Sequence, residues 1–388
     1  MNEMRWSMVK VLFFFPLFLL TGCWDKYELT ERGFVQAVGI DLTEEGEIQL
    51  TTQFYKPAGG SGGGAIGQGG GESRFFNLKT IDGSVFEAAR DISIHLGRKA
   101  QWSHMRVIVI SEELAKEKNI SDILEFFTRD HEPRETISII IAKGKASDYF
   151  GMKPIIESTL GEHLRRIQET TPKFTLKTIE SNLLQINSQL KSETGIALAS
   201  YMYIDEKNEP PSIVIAGAVL IKNGKIEGFI SPQNMQRFLM LINQPGSGIL
   251  EIPCADRTIK NSFEVVSVKT KMKPKIMGNS TTVHVTTKIE GSIAELNCYT
   301  VETTENEKEF AKAVEKLVKQ EMETLIEQLQ NQKLDAIGIG NIIYRNNPKL
   351  WGDLEKDWGE HFADIRFMID VKVKVRDTGM NTGKSIIE

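Results

Sequence analysis

Val266-Ser267-Val268-Lys269-Thr270-Lys271-Met272-Lys273 alternates apolar or β-branched residues with polar ones through eight positions. That period of two decides the fold of the second half of the chain. Successive side chains of an extended strand point to opposite faces, so the stretch reads as a strand with one dry and one wet side. The pattern returns at 283–289, where Val283, Val285, Thr287 and Ile289 alternate with His284, Thr286 and Lys288. It returns again at 367–375, where Phe367, Ile369, Val371, Val373 and Val375 alternate with Met368, Asp370, Lys372 and Lys374. Upstream, 213–221 is followed by Asn223-Gly224, a hairpin turn signal, and then by 225–230. These strands predict an antiparallel sheet with one wet face. A helix over 306–330 carries Phe310, Val314, Leu317, Val318, Met322, Leu325 and Leu329 on one stripe, to cover the dry face. A coiled coil is the sharper reading of that stripe, but three heptads with one seam fit packing within a domain.

Working towards the amino terminus, 154–190 turns helical, with Leu176, Ile179, Leu183, Leu184 and Ile186 mostly on one side. Residues 201–212 are polar, contain Pro210-Pro211, and read as a linker. Before them, strands are expected at 34–40, 48–55, 74–80, 106–110 and 136–142 from their β-branched and aromatic content. Helices are expected at 84–96 and 121–127, the second starting at a serine cap. The alternation of strand and helix gives an α/β module. Residues 59–71 interrupt it with nine glycines in thirteen positions. No Lys-Ser or Lys-Thr follows, so a phosphate-cradling loop is excluded and a flexible loop is expected. The whole is a mixed α/β (α+β) chain. Its divisions are a signal peptide at 1–22, an α/β domain at 23–150, a helical segment at 151–200, the linker at 201–212 and a carboxy-terminal domain at 213–388.

The first residues carry the sharpest functional signal. Ten apolar residues, 11–20, follow two positive charges. As a helix they reach about 15 Å, half of a bilayer core, which is the length of a signal-peptide apolar region. Leu20-Thr21-Gly22-Cys23 then has the form of a lipobox, with small residues before a cysteine that accepts a diacylglyceryl group. Cys23 is the expected lipidation site, and the ordinary alternative is a secretory signal with a chance cysteine. Trp24 sits either at the headgroup level or against the protein body. No later segment approaches 18 apolar residues, so no protein span is expected.

Chemistry is sparse. The net charge of −5 falls to −6 without the first 22 residues, which argues against bulk attraction to nucleic acid. No pair among the six histidines has helical zinc-site spacing, no serine sits in a Gly-x-Ser-x-Gly elbow, and Glu112-Glu113 reads as a solvated helix start. His104, just before a strand, reads as hydrogen-bonded structure. No catalytic residue, metal or cofactor is expected, and a ligand site is not legible. Cys254 and Cys298 lack metal-ligand spacing and are read as free thiols, although an oxidising exterior permits a pair. Lys269, Lys271, Lys273, Lys372 and Lys374 read as a solvated strand face that blocks edge pairing, with anionic lipid or an acidic partner as the alternative.

Several pieces, in order along nearly the whole mature chain, resemble one family. They are Leu20-Thr21-Gly22-Cys23-Trp24-Asp25, Glu28-Leu29, Val38-Gly39-Ile40-Asp41, the stretch 104–111 and Ala216-Gly217-Ala218-Val219. Further on come Asp335-Ala336-Ile337-Gly338-Ile339-Gly340, Asn347-Pro348-Lys349-Leu350-Trp351, Asp357-Trp358, the closing strand 371–376 and Thr378-Gly379-Met380. The family is that of the C subunits of spore germinant receptors, the Ger(x)C or GerAC-like lipoproteins. The glycine-rich insert departs from its pattern. The resemblance implies several mixed α/β domains and a non-enzymatic subunit lipidated on Cys23, at the outer face of the inner spore membrane. It implies assembly with A and B membrane subunits that sense small germinants and trigger release of ions and dipicolinate. Two other classes compete with it. One is an extracytoplasmic solute-binding lipoprotein of a transporter; the other, an anchored envelope hydrolase, has no motif behind it.

Overall fold

The computed structural model describes residues 28–56, 74–244, 246–254, 259–278 and 280–377. The signal segment, Cys23, the glycine-rich stretch 59–71 and Thr378-Gly379-Met380 therefore lie outside the described residues.

Between Arg32 and Ile230 strands and helices interleave. The strands are β1 (Arg32–Leu42), β2 (Ile48–Tyr55), β3 (Phe75–Asp82), β4 (Lys99–Gln101), β5 (Val107–Ser111), β6 (Ser138–Ala142), β7 (Ile196–Asp205), β8 (Ser212–Lys222) and β9 (Lys225–Ile230). The helices are α1 (Val85–Leu96), α2 (Glu112–Glu117), α3 (Ile120–Arg129), α4 (Ala146–Phe150), α5 (Leu160–Phe174) and α6 (Leu183–Leu190). The strands form one sheet in the order β3-β2-β1-β5-β6-β7-β8-β9, with β4 beside the start of β1. Its centre, β1-β5-β6-β7, is parallel, because helical crossovers separate these strands. Antiparallel hairpins extend both sides. Every residue of β5 and β6 is buried, as expected of strands covered on both faces. One face packs Ile108, Ile110, Ile139 and Ile141 against α1, α2, α3 and α6. The other packs Val107, Val109 and Ile140 against Tyr149, Phe150, Leu160 and Leu164 of α4 and α5.

Caps set the helix boundaries. Ser84 Oγ accepts the Glu87 N–H at 3.2 Å to start α1, and Gly97, at φ +63°, ends it. Helix α3 is capped by Asn119 rather than by the expected Ser121. The expected helical stripe 176–186 is split: Leu176 has φ +52°, and an extended stretch bonds Thr178 to Gly217 before Asn182 caps α6. Leu176, Ile179, Leu183 and Ile186 are still buried, while Leu184 is exposed.

The remainder builds a second sheet. Helix α7 (Pro232–Leu241) leads to β10 (Gly248–Pro253), β11 (Lys260–Met277) and β12 (Ser280–Glu295). Helices α8 (Thr304–Asn331), α9 (Ile339–Asn346), α10 (Pro348–Leu354) and α11 (Trp358–Ala363) precede β13 (Arg366–Val375). The order is β10-β11-β12-β13. Helix α8 covers the dry face as expected, with Phe310, Val314, Val318, Met322, Leu325 and Leu329 buried. Each is worth about 1.5–3 kcal/mol of transfer free energy. Glu315 Oε1 also accepts the Val373 N–H at 2.9 Å, which fixes α8 alongside β13.

Three expectations are corrected. The sheet is mixed, because β13 pairs parallel to β12 after a long helical crossover. The supposed linker 201–212 is the end of β7, a turn and the first residue of β8, and 213–230 belongs to the first sheet. Its apolar side, with Leu198, Ala218, Leu220 and Ile230, joins the core of the second sheet, so the two sheets share a core. Finally, Cys254 and Cys298 form a disulfide with Cα atoms 6.0 Å apart. Strand register explains it: Pro253 opposes Lys260 and Ser262 opposes Glu295, which brings the ends of β10 and β12 together.

Candidate functional site

The described chain begins at Glu28, five positions after Cys23, with a short 3-10 turn at Leu29–Glu31 that runs into β1. Beside this entry lies an open cleft of about 780 Å³ between α1 and the start of α3's return loop. Phe86, Trp102 and Phe126 supply its aromatic wall, and Arg90, Arg98 and Glu31 its charges. Lys99 pairs with Glu132 at 3.3 Å, and Glu132 also accepts the Trp102 N–H at 3.0 Å. The Arg90 guanidinium stands 4.9 Å from the Phe86 ring centre, a cation–π contact. Aromatic surface with charges of both signs suits a polar partner segment or a small zwitterion.

Two carboxylates within the resembling stretches, Asp41 and Asp335, are structural. Asp41 caps α4, accepting the N–H groups of Ala146 at 2.6 Å and Ser147 at 2.9 Å. Burial pushes its carboxyl above the usual range against those bonds. Asp335 is fully buried and starts α9 in the same manner, with Ile339 and Gly340 donating at 2.9 and 2.7 Å and the Trp358 indole at 3.0 Å. Its carboxyl is likewise raised by burial. Gly340 is required there, since a Cβ would sit 2.7 Å from the Trp351 ring. Gly217, at φ +84°, lets its N–H reach Lys177 O at 2.7 Å. Three of the resembling stretches, 38–41, 216–219 and 335–340, thus supply helix caps and close approaches.

Glu112 starts α2 but is not simply solvated. It accepts the Tyr201 hydroxyl at 2.7 Å and pairs with Lys116. Burial pushes its carboxyl up, but those two partners outweigh burial and hold it below the usual range. Exposed His104 packs edge-on against Phe34, ring centres 5.4 Å apart. Among the described residues no cluster of His, Cys, Asp or Glu has metal-holding geometry, and no helix is long and apolar enough to cross a membrane. Lys269, Lys271, Lys273, Lys372 and Lys374 share the uncovered face of the second sheet, as expected, together with Lys275 and Lys288.

Two family descriptions match nearly end to end: Spore germination protein N-terminal domain over residues 25–204, and Spore germination B3/GerAC like, C-terminal, over 216–379. The chain belongs to the GerAC-like spore germination proteins. Among curated members of this family, Spore germination protein KC of Bacillus subtilis (strain 168) is 26% identical over 97% of each chain. Spore germination protein B3 of the same organism is 26% identical, over 94% of this chain and 96% of its own. In fold, the GerAC-like chain resembles the crystal structure of the GerBC protein, with a TM-score of 0.58 at 22% identity over 87% of this chain and 96% of that one.

Proposed function

We propose that this chain is the C subunit of a spore germinant receptor, a non-enzymatic component lipidated on Cys23. In this reading the signal peptide at 1–22 is removed, and diacylglyceryl on Cys23 holds the body at the outer face of the inner spore membrane. There it assembles with the A and B membrane subunits. The observation that carries the reading is the family match along both halves of the chain, which supports it over a solute-binding lipoprotein of a transporter. The buried carboxylates are consumed in capping helices, which leaves them no part in acid–base chemistry. The Cys254–Cys298 disulfide fits an oxidising compartment outside the cytoplasm. Tethering raises the local concentration of the body beside membrane partners.

The test is Cys23→Ala in the producing cell. The folded product is expected to leave the membrane fraction and the germination response to fall. Normal membrane retention with normal germination overturns the reading.

A further inference from the structure

Lys269 on β11, Lys288 on β12 and Lys372 on β13 stand directly opposite one another in a single row across three strands. Like charges placed opposite each other in a sheet cost stability. Blocking of edge pairing does not account for the row, because β12 is an interior strand and Lys288 guards no edge. Around it, Lys271, Lys273, Lys275, Arg366 and Lys374 are exposed on the same face. Within this patch the carboxylates are Asp370 and Glu290, and Glu290 is bonded to Arg376 at 2.6 Å. None of Lys269, Lys271, Lys273, Lys275, Lys288 or Lys372 has an ion-pair partner among the described residues, and the chain as a whole is net negative at −5. Helix α8 lies on the opposite, dry face, so the cations look outwards.

We propose that this lysine face docks on the anionic phospholipid headgroups of the membrane to which the chain is tethered. The proposal rests on the anchored reading given above. The composition favours lipid over an acidic protein, because protein interfaces are poor in lysine and built on Tyr, Trp and Phe anchors. This patch is mainly lysine, with His284 and Met368 among them and no Phe, Tyr or Trp. Its relief is slight, a depression of about 330 Å³ lined by Lys269, Lys271, Lys273, His284, Thr286 and Lys288. A shallow array of ammonium groups matches a layer of phosphates rather than one shaped ligand. At the tip of the β11–β12 ribbon, Met277 is 64% exposed and offers an apolar contact at the headgroup level. Anionic headgroups between the lysines relieve the repulsion that the row costs the free chain.

The test uses the full lipidated chain on phosphatidylcholine vesicles and on vesicles containing about one-third phosphatidylglycerol, with lysine acetylation read by mass spectrometry. Lys269, Lys271, Lys288 and Lys372 are expected to react several-fold more slowly on the anionic vesicles, with Lys308 and Lys312 of α8 unchanged. The difference should vanish near 1 M salt, where the screening length shrinks to about 3 Å. Replacing Lys269, Lys288 and Lys372 by Gln should remove the protection of Lys271, with docking weakened about fivefold per charge. Equal rates on both vesicles overturn the proposal. So does protection that arises only when the other receptor subunits are added to neutral vesicles, which assigns the face to a protein. Loss of the chain from neutral vesicles reports failure of the anchor instead. Flotation of the unanchored chain with anionic but not neutral vesicles then tests the face alone.

Discussion

The indole N–H of Trp358 donates to Asp335 Oδ2 at 3.0 Å, across 23 positions of sequence. The same carboxylate accepts two backbone N–H groups of α9, so one side chain ties the end of the α8 region to α9 and α11. Asp335→Ala leaves these donors buried without an acceptor, and the expected loss is about 3–5 kcal/mol of stability. Asp335→Asn keeps the shape but turns one oxygen into a donor facing other donors, for about 1–3 kcal/mol. Urea unfolding followed by tryptophan fluorescence measures both. An Asn variant as stable as the wild type would show that the charge and second acceptor are dispensable.

The same burial gives a pH dependence. The carboxyls of Asp335 and Asp41 are raised by desolvation, so the folded chain binds protons more tightly than the unfolded one above the ordinary carboxylate value of about 4. Stability from this source is present below that value and is lost as pH rises through the folded values. Glu112, held low by Lys116 and Tyr201, acts in the opposite sense and only as pH falls through its own lowered value. Comparing wild type with Asp335→Asn isolates the Asp335 contribution. The advantage of the wild type should grow as pH is lowered from 7 to about 4.5. A shrinking advantage contradicts the assignment.

Much of the first sheet was legible because β5 and β6, covered on both faces, leave unbroken apolar runs such as Val107-Ile108-Val109-Ile110. The wet and dry faces of β11, β12 and β13 were legible from their period of two. That period fixes which way a side chain points but not the direction of the neighbouring strand, so the parallel pairing of β13 was hidden. Pro210-Pro211 and their polar neighbours are as suitable for a hairpin turn as for a linker, and only the pairing of β7 with β8 decides between them. At the candidate surfaces, the lysines were visible one strand at a time. Their alignment into a row needs the register. Asp41 carries no local signal of burial, since Ala146 and Ser147 lie more than a hundred positions away. The backbone partners of Asp335, Ile339 and Gly340, follow closely, but the Trp358 indole reaches it only in the folded chain.

Reduction should act through the second sheet. Cys254 and Cys298 are 44 positions apart, and closing a loop of that size in the unfolded chain is worth about 2–4 kcal/mol. The double variant Cys254→Ser/Cys298→Ser should lose about that much, and reductant should then leave its melting temperature unmoved. Asn261, whose Oδ1 accepts the N–H groups of Asn297 and Cys298 at 2.8 and 3.1 Å, holds the same junction without the bond. The variant is therefore expected to fold. Mass spectrometry of the unreduced chain checks the bond itself, and two free thiols in secreted protein would refute it.

The lysine row makes the last prediction, on stability alone. In Lys288→Glu, the central member of the row gains an opposite charge on both sides, from Lys269 and from Lys372. Each cross-strand pair then changes from repulsive to attractive, worth about 0.2–1 kcal/mol. The variant should therefore be more stable than the wild type at low salt. The gain should shrink as salt rises, because exposed charges are screened over about 8–10 Å at ordinary ionic strength. Lys288→Gln should give a smaller gain, since it only removes repulsion. Lys308→Glu on exposed α8 makes the same charge change beside Lys312, one helical turn on, where an attractive pair is worth about 0.2–0.5 kcal/mol, so it sets the scale of a gain that needs no strand register. Chemical denaturation at two salt concentrations separates the cases. If Lys288→Glu is neutral or destabilising at low salt while Lys308→Glu is not, the lysines are spaced too widely to repel, and the row costs the fold nothing. If the gain appears, the sheet carries a charge arrangement that works against its own stability, which is the energetic opening an anionic surface would fill.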